Sequence, residues 1–157
     1  MWREFFPRAS IYGFDIDDFS GVQLERCNIL QGDMSSEADL SLLVDAIGEP
    51  IDIIIDDASH ASHHQQIALG NLFPYLRSGG LYIIEDLYWQ DPAVELSDAS
   101  KTRDILKQLQ VNDIFSSPYL TDKQQNYILD YAEKVELFDS LGNVNNWPDS
   151  LAVITKK

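Results

Sequence analysis

Cys27 is the chain's single cysteine, so no intrachain disulfide can form and the sequence points to a reducing, cytoplasmic setting. Basic residues are also scarce: eleven Lys and Arg stand against twenty-six Asp and Glu, a formal charge of −15 at pH 7. Such a surface repels phosphate backbones and anionic membranes, which argues against nucleic acid or a membrane as partner. No apolar run approaches the roughly 20 residues that cross a bilayer, and Met1-Trp2-Arg3-Glu4 lacks the basic-then-apolar layout of a signal peptide. Internal repeats, low-complexity stretches and linker-like segments are missing too. With 157 residues and 45% apolar content, the expectation is one domain over residues 1–157 with a single core.

What is present is an alternation of apolar strands and helical segments. Ile11-Tyr12-Gly13-Phe14 reads as a buried strand that delivers Asp15, Asp17 and Asp18 to its carboxyl end, and residues 27–30 as a weaker strand followed by Gln31-Gly32-Asp33. Leu40, Leu43, Val44 and Ile47 recur at helical spacing until Gly48-Glu49-Pro50 ends the helix, and residues 51–55 form a strong strand. Ile67, Leu69, Leu72, Phe73 and Leu76 predict a helix that stops near Ser78-Gly79-Gly80, before a strand over residues 81–84. Helices over 101–111 and 121–135 follow, then two closing strands over 135–138 and 151–155 around a turn rich in Gly, Asn and Pro. Strands that are apolar throughout and alternate with helices predict an α/β fold: a mostly parallel sheet with helices on both faces and a C-terminal antiparallel hairpin. Ligands on such sheets bind beyond the carboxyl ends of the strands, which is where this sequence puts its acids.

Asp56 and Asp57 close one strand and Glu85 and Asp86 close another that should lie beside it, so four carboxylates converge without a basic neighbour in sequence. That arrangement favours a hard cation such as Mg²⁺ or Ca²⁺, although solvated acids in strand-end loops give the same pattern. All three histidines fall at 60, 63 and 64. Placed three residues after Asp57, His60 suits a general base working near pH 7, while His63 and His64 read as helix-start or surface residues. A zinc site of Asp57 with two histidines is the alternative, but no further ligand cluster supports it. Asp15 and Asp33 each end a strand at the edge where a nucleoside cofactor would sit: a carboxylate after the second strand accepts from ribose hydroxyls, and a later one from an adenine amino group. Turn and helix-cap roles explain either residue equally well.

Three runs, taken together in order and spacing, resemble the macrocin and mycinamicin type of macrolide sugar O-methyltransferase, within the class I S-adenosylmethionine-dependent enzymes. They are Ile53-Ile54-Ile55-Asp56-Asp57-Ala58-Ser59-His60, Leu72-Phe73-Pro74-Tyr75-Leu76, and Gly79-Gly80-Leu81-Tyr82-Ile83-Ile84-Glu85-Asp86-Leu87. Trp2-Arg3-Glu4-Phe5-Phe6-Pro7 and Ile11-Tyr12-Gly13-Phe14-Asp15-Ile16-Asp17 share the likeness, which covers residues 2–90 well and the closing strands loosely. The resemblance implies a Rossmann-like methyltransferase fold and S-adenosylmethionine and Mg²⁺ as cofactors. It implies Asp57, Glu85 and Asp86 as metal ligands, His60 as catalytic base, and Asp15 and Asp33 on the cofactor's ribose and adenine. The reaction implied is transfer of a methyl group to a hydroxyl of a small hydroxylated acceptor, a sugar or other natural product.

Two departures from the family pattern qualify that reading. Ala58 stands where the family usually has Gly, which would matter if the backbone there had positive φ. The family also places a strand and a glycine-rich turn ahead of the segment matching Trp2-Arg3, so the resemblance implies an N-terminally truncated fold. Without that central strand, the strands at 11–14 and 51–55 are expected either to pair directly or to be covered by another copy in a homodimer, with weak cofactor binding in both cases. A noncatalytic binding or assembly module on the same scaffold, or a metal-dependent hydrolase or hydroxylase using the same acids, are the competing functions.

Overall fold

The helices start where the sequence supplies acceptors for their orphan N–H groups. In a computed structural model that describes residues 1–139 and 150–157, Ser36 Oγ accepts from the Asp39 N–H at 3.3 Å and opens α2 (Glu37–Ile47). Gly48, at φ 68°, closes α2 with its own N–H donating to the Val44 carbonyl, a left-handed cap that a side chain would strain. Thr121 and Gln124 form a reciprocal capping box ahead of α5 (Asp122–Tyr131). The other helices are α1 (Trp2–Phe5), α3 (Ser62–Leu72) and α4 (Thr102–Asn112).

The strands are β1 (Ile11–Asp15), β2 (Cys27–Gln31), β3 (Ile51–Asp56), β4 (Leu76–Ile84), β5 (Ala132–Asp139) and β6 (Ser150–Lys156). β3, β4, β6 and β5 make one sheet in that order, while β1 and β2 make a separate parallel pair. β3 runs parallel to β4, and β6 is antiparallel to both β4 and β5. The expected closing hairpin is present, but the sheet is mixed: two of its three pairings are antiparallel because β6 inserts between β4 and β5. The turn read as rich in Gly, Asn and Pro lies outside the described residues.

The helix expected to stop near Ser78-Gly79-Gly80 ends at Leu72, and a 3-10 turn over Phe73–Tyr75 follows it. β4 therefore begins five residues earlier than the apolar run 81–84 suggested, and Gly79-Gly80 lies within it. Gly80 is there because the chains approach closely: an added Cβ would sit 2.9 Å from the Arg77 carbonyl and 3.1 Å from the Asp52 carbonyl.

Tyr82, Ile84, Ala152 and Ile154 occupy one face of the four-stranded sheet and join a core with Leu69 and Leu72 of α3, Leu106 of α4 and Ile128 of α5. On the opposite face Ile53, Ile55, Leu81, Ile83 and Val153 remain half-buried. The expectation of helices on both faces is thus corrected to one closed face and one half-open face. Direct pairing of the strands at 11–14 and 51–55 is also corrected, since β1 is paired only with β2, and β3 only with β4, among the described residues. The two sheets are joined by side chains instead: α2 packs on α3, and Phe14, Leu30 and Met34 lie against the shared core. No described helix is long and apolar enough to cross a membrane.

Candidate active site

β3 and β4 end side by side, because Asp56 is in register with Ile84 and the Glu85 N–H donates to the Asp56 carbonyl at 2.9 Å. The chain turns sharply after each. His60 and Asp86 both adopt positive φ, 56° and 52°, two of only four such non-glycine residues described. Backbone held in this sparsely populated region concentrates where side chains must be aimed at a site. Ala58 is not among them, so replacing the family's glycine there costs no strain of that kind.

The two turns bring together Asp57, His60 and Asp86, each offering a ligand atom within 4.8 Å of the others. His60 Nε2 lies 3.8 Å from Asp86 Oδ2 and 4.0 Å from Asp57 Oδ1, and its side chain is only 14% exposed while both carboxylates are open to solvent. These separations exceed a direct hydrogen bond and leave room for a hydroxyl or an ion between the groups. Glu85 lies outside that set of three; its backbone is fixed by Asp56 and by Gln65 Nε2, which donates to the Glu85 carbonyl at 3.3 Å.

Asp56 points the other way, into the protein. Burial, with a smaller contribution from the neighbouring Asp57 charge, pushes its carboxyl up to about 7 against the Ala58 N–H that favours the anion. The sequence reading grouped Asp56 with the exposed acids; only its alternation with Ile54 on the closed face would have signalled burial.

His63 and His64 sit in the first turn of α3 with ring centroids 4.1 Å apart, while His60 precedes the helix and does not share their face. His64 Nδ1 is 2.8 Å from Ser59 Oγ. Burial, and then the His63 charge, hold its imidazole below the usual value, against the pull of Asp33 and Glu95. Asp33 belongs to the other half of the site. Its Oδ1 accepts from the Ser35 N–H at 2.8 Å and the Ser35 hydroxyl at 2.7 Å, and these bonds hold its carboxyl below the ordinary range. Asp15 Oδ1 accepts from the Asp17 N–H at 3.0 Å, and the Gly32 N–H donates to the Asp15 carbonyl at 2.8 Å, so the ends of β1 and β2 adjoin. Ser59 Oγ lies 3.6 Å from Met34 Sδ, which joins the loop after β2 to the loop after β3. The predicted residues therefore line two adjoining edges, Asp15 and Asp33 on one and Asp57, His60 and Asp86 on the other. Trp89, whose ring lies 5.3 Å from that of His60 at an interplanar angle of 70°, was missed; its position three residues after Asp86 was the available signal.

No family model matches the chain. Over 92 residues, 57% of its length, it is 49% identical to the 8-demethyl-8-alpha-L-rhamnosyl tetracenomycin-C 2'-O-methyltransferase of Streptomyces olivaceus and 46% identical to the mycinamicin VI 2''-O-methyltransferase of Micromonospora griseorubida. The matched part is 24% and 23% of those proteins, so the chain spans about a quarter of the length of the curated relatives it matches. Among solved structures, the mycinamycin-pathway methyltransferase MycE with Mg and SAH superposes with a TM-score of 0.72 at 31% identity, over 99% of this chain and 38% of that one. An rRNA methylase from Streptococcus thermophilus, 16% identical, shares the methyltransferase fold alone, with a TM-score of 0.52 over 94% of this chain and 73% of that one. The chain is thus a partial-length relative of the macrolide sugar O-methyltransferases, as its motifs imply.

Proposed function

We propose that this relative of the macrolide sugar O-methyltransferases carries an S-adenosylmethionine-dependent O-methyltransferase site for a hydroxyl on a sugar-bearing small molecule, assisted by Mg²⁺. The observation that carries the reading is the convergence of Asp57, His60 and Asp86 at the carboxyl ends of neighbouring parallel strands. Two carboxylates fit a hard divalent cation, with Glu85 assigned as a further ligand by the family resemblance. A bound Mg²⁺ lowers the pKa of an acceptor hydroxyl and fixes its position. His60 takes the hydroxyl proton at Nε2, the ring nitrogen that faces both carboxylates, which requires the neutral ring protonated on Nδ1. S-adenosylmethionine would supply the methyl group to the acceptor oxygen and leave as the neutral thioether S-adenosylhomocysteine. Asp15 and Asp33, on the adjoining edge, hold its ribose and adenine. The acceptors in the relatives' names, mycinamicin VI and a rhamnosyl tetracenomycin, support a sugar-bearing natural product as the acceptor here.

A second reading, a noncatalytic binding or assembly module that keeps the metal site, is favoured by the absence of any ladder between β1 and β3 among the described residues. Titration with S-adenosylmethionine, followed by a methyl-transfer assay on a rhamnosylated acceptor with and without Mg²⁺, separates the two. Transfer that needs Mg²⁺ and falls by roughly 10² to 10⁴ in His60→Ala supports the enzyme. Metal binding with no cofactor binding supports the module.

A further inference from the structure

Residues 87–101, between the end of the site and α4, form a strap across the start of α3. The residue ahead of α3 is Ala61, whose side chain cannot cap, so the first N–H groups of the helix need an acceptor from elsewhere. Glu95 supplies it. Its Oε2 accepts from the Ser62 N–H at 2.6 Å, its Oε1 pairs with Lys101 Nζ at 2.5 Å, and its side chain is only 9% exposed. The same strap is fastened once more, where Gln66 Nε2 donates to the Ser100 carbonyl at 2.8 Å, and the start of α4 just beyond it is tied down by Thr102 Oγ1, which donates to the Ser62 carbonyl at 2.9 Å. Ser62 and Gln66 are fully buried, so these are interior contacts.

At its other end the strap carries Trp89 edge-on to His60, with the Trp89 N–H donating to the Asp86 carbonyl at 3.1 Å and 40% of the residue still exposed. A residue at position 61 could have capped α3 locally. A cap drawn from 33 residues away does something a local one cannot: it ties the start of the helix that follows His60 to the strap that carries Trp89.

We propose that Glu95 is a positioning residue, which by capping α3 from the strap holds Trp89 against His60, so that the exposed Trp89 ring takes the C–H face of a sugar whose hydroxyl meets His60. The sugar rests on the function proposed above; the coupling of Glu95 to Trp89 and His60 does not. Nuclear magnetic resonance of the full chain tests the coupling without cofactor, metal or acceptor, through hydrogen exchange at the Ser62 amide and the Overhauser contact between the Trp89 and His60 rings. Glu95→Ala is expected to speed Ser62 exchange at least about tenfold and to abolish the ring contact. Should that variant not fold, Glu95→Gln keeps an acceptor but loses the charge, and is expected to speed exchange a few-fold and weaken the contact. A ring contact unchanged in a folded variant whose Ser62 amide has opened would overturn the proposal and leave Glu95 a helix cap only. Titration with methyl α-L-rhamnopyranoside is expected to shift the Trp89 indole N–H resonance in the wild type and to shift it less in the variant. No shift in the wild type, with Ser62 and the ring contact behaving as expected, removes Trp89 as a sugar contact. A wild-type chain that transfers no methyl group counts against the reaction, not against the coupling.

Discussion

The two edges of the candidate site differ in what holds them. No residue before Leu40 is buried, so β1, β2 and the loops bearing Asp15 and Asp33 have no core of their own. The edge bearing Asp57, His60 and Asp86 grows instead from strands backed by Tyr82, Ile84, Ile154, Leu69 and Leu106, each at most 1% exposed. A two-stranded sheet is marginal by itself, and this one relies on Phe14, Leu30 and Met34 resting on the larger core. The edge proposed to hold the metal and the base is therefore pre-organised, whereas the edge proposed for the nucleoside can loosen without unfolding the rest. On this contrast, a chain with this layout keeps a metal site more readily than a tight cofactor site.

The comparison breaks first on stability. Leu69→Ala, in the fully buried centre, is expected to cost about 2–5 kcal/mol, while Leu30→Ala in β2 costs roughly 1 kcal/mol, both measured by denaturant unfolding. Equal losses would mean that the two-stranded sheet is as integral to the core as β4. Next comes ligand affinity. Asp57→Asn should weaken Mg²⁺ binding at least about tenfold in calorimetry, whereas Asp33→Asn should leave Mg²⁺ affinity unchanged and lower only affinity for S-adenosylmethionine. An unchanged Mg²⁺ affinity in Asp57→Asn would remove that residue from the metal site. Amide exchange sharpens the contrast further: the β1–β2 ladder is expected to exchange through local opening, well ahead of the β4–β6 ladder, which should open only with the whole fold.

Much of this was legible beforehand, for reasons that can be named. The strand-end acids and the helix through Leu40, Leu43, Val44 and Ile47, with its stop at Gly48, follow from local pattern, and local pattern survives folding. The end of α3 did not, because apolar spacing runs on through Phe73 and Leu76, although the chain leaves the helix at the Phe73–Tyr75 turn containing Pro74. The inward turn of Asp56 depends on which face of β3 the helices cover, a tertiary fact. Closure of the β1–β3 gap, by direct pairing or by a second copy of the chain, is expected on the assumption that their edges are interior. Both strands are instead half-buried, so the cost of an unpaired edge is lower than for a buried one. The strap contacts are least legible of all, since Glu95 and Ser62 meet across 33 residues with no repeat or spacing to announce it.

The smallest expected effect concerns pH and the strap. Burial raises the Glu95 carboxyl, but Lys101 and the Ser62 donors outweigh it and hold the group below its ordinary value, with His64 also nearby. A carboxyl whose folded pKa is depressed adds stability that is fully present above its unfolded value and lost as pH falls through the folded one. The strap should therefore be unaffected near neutrality and loosen only in acid, below the usual carboxylate range. Acid protonates many other groups of so acidic a chain, so the informative quantity is a difference: the Ser62 amide exchange rate, corrected for its intrinsic pH dependence, in the wild type against Glu95→Gln. The two should converge as pH falls, because protonation removes the charge that the substitution has already removed. If they stay parallel down to the onset of global unfolding, the Glu95 charge contributes nothing to holding the strap, and its geometry alone keeps it on the start of α3.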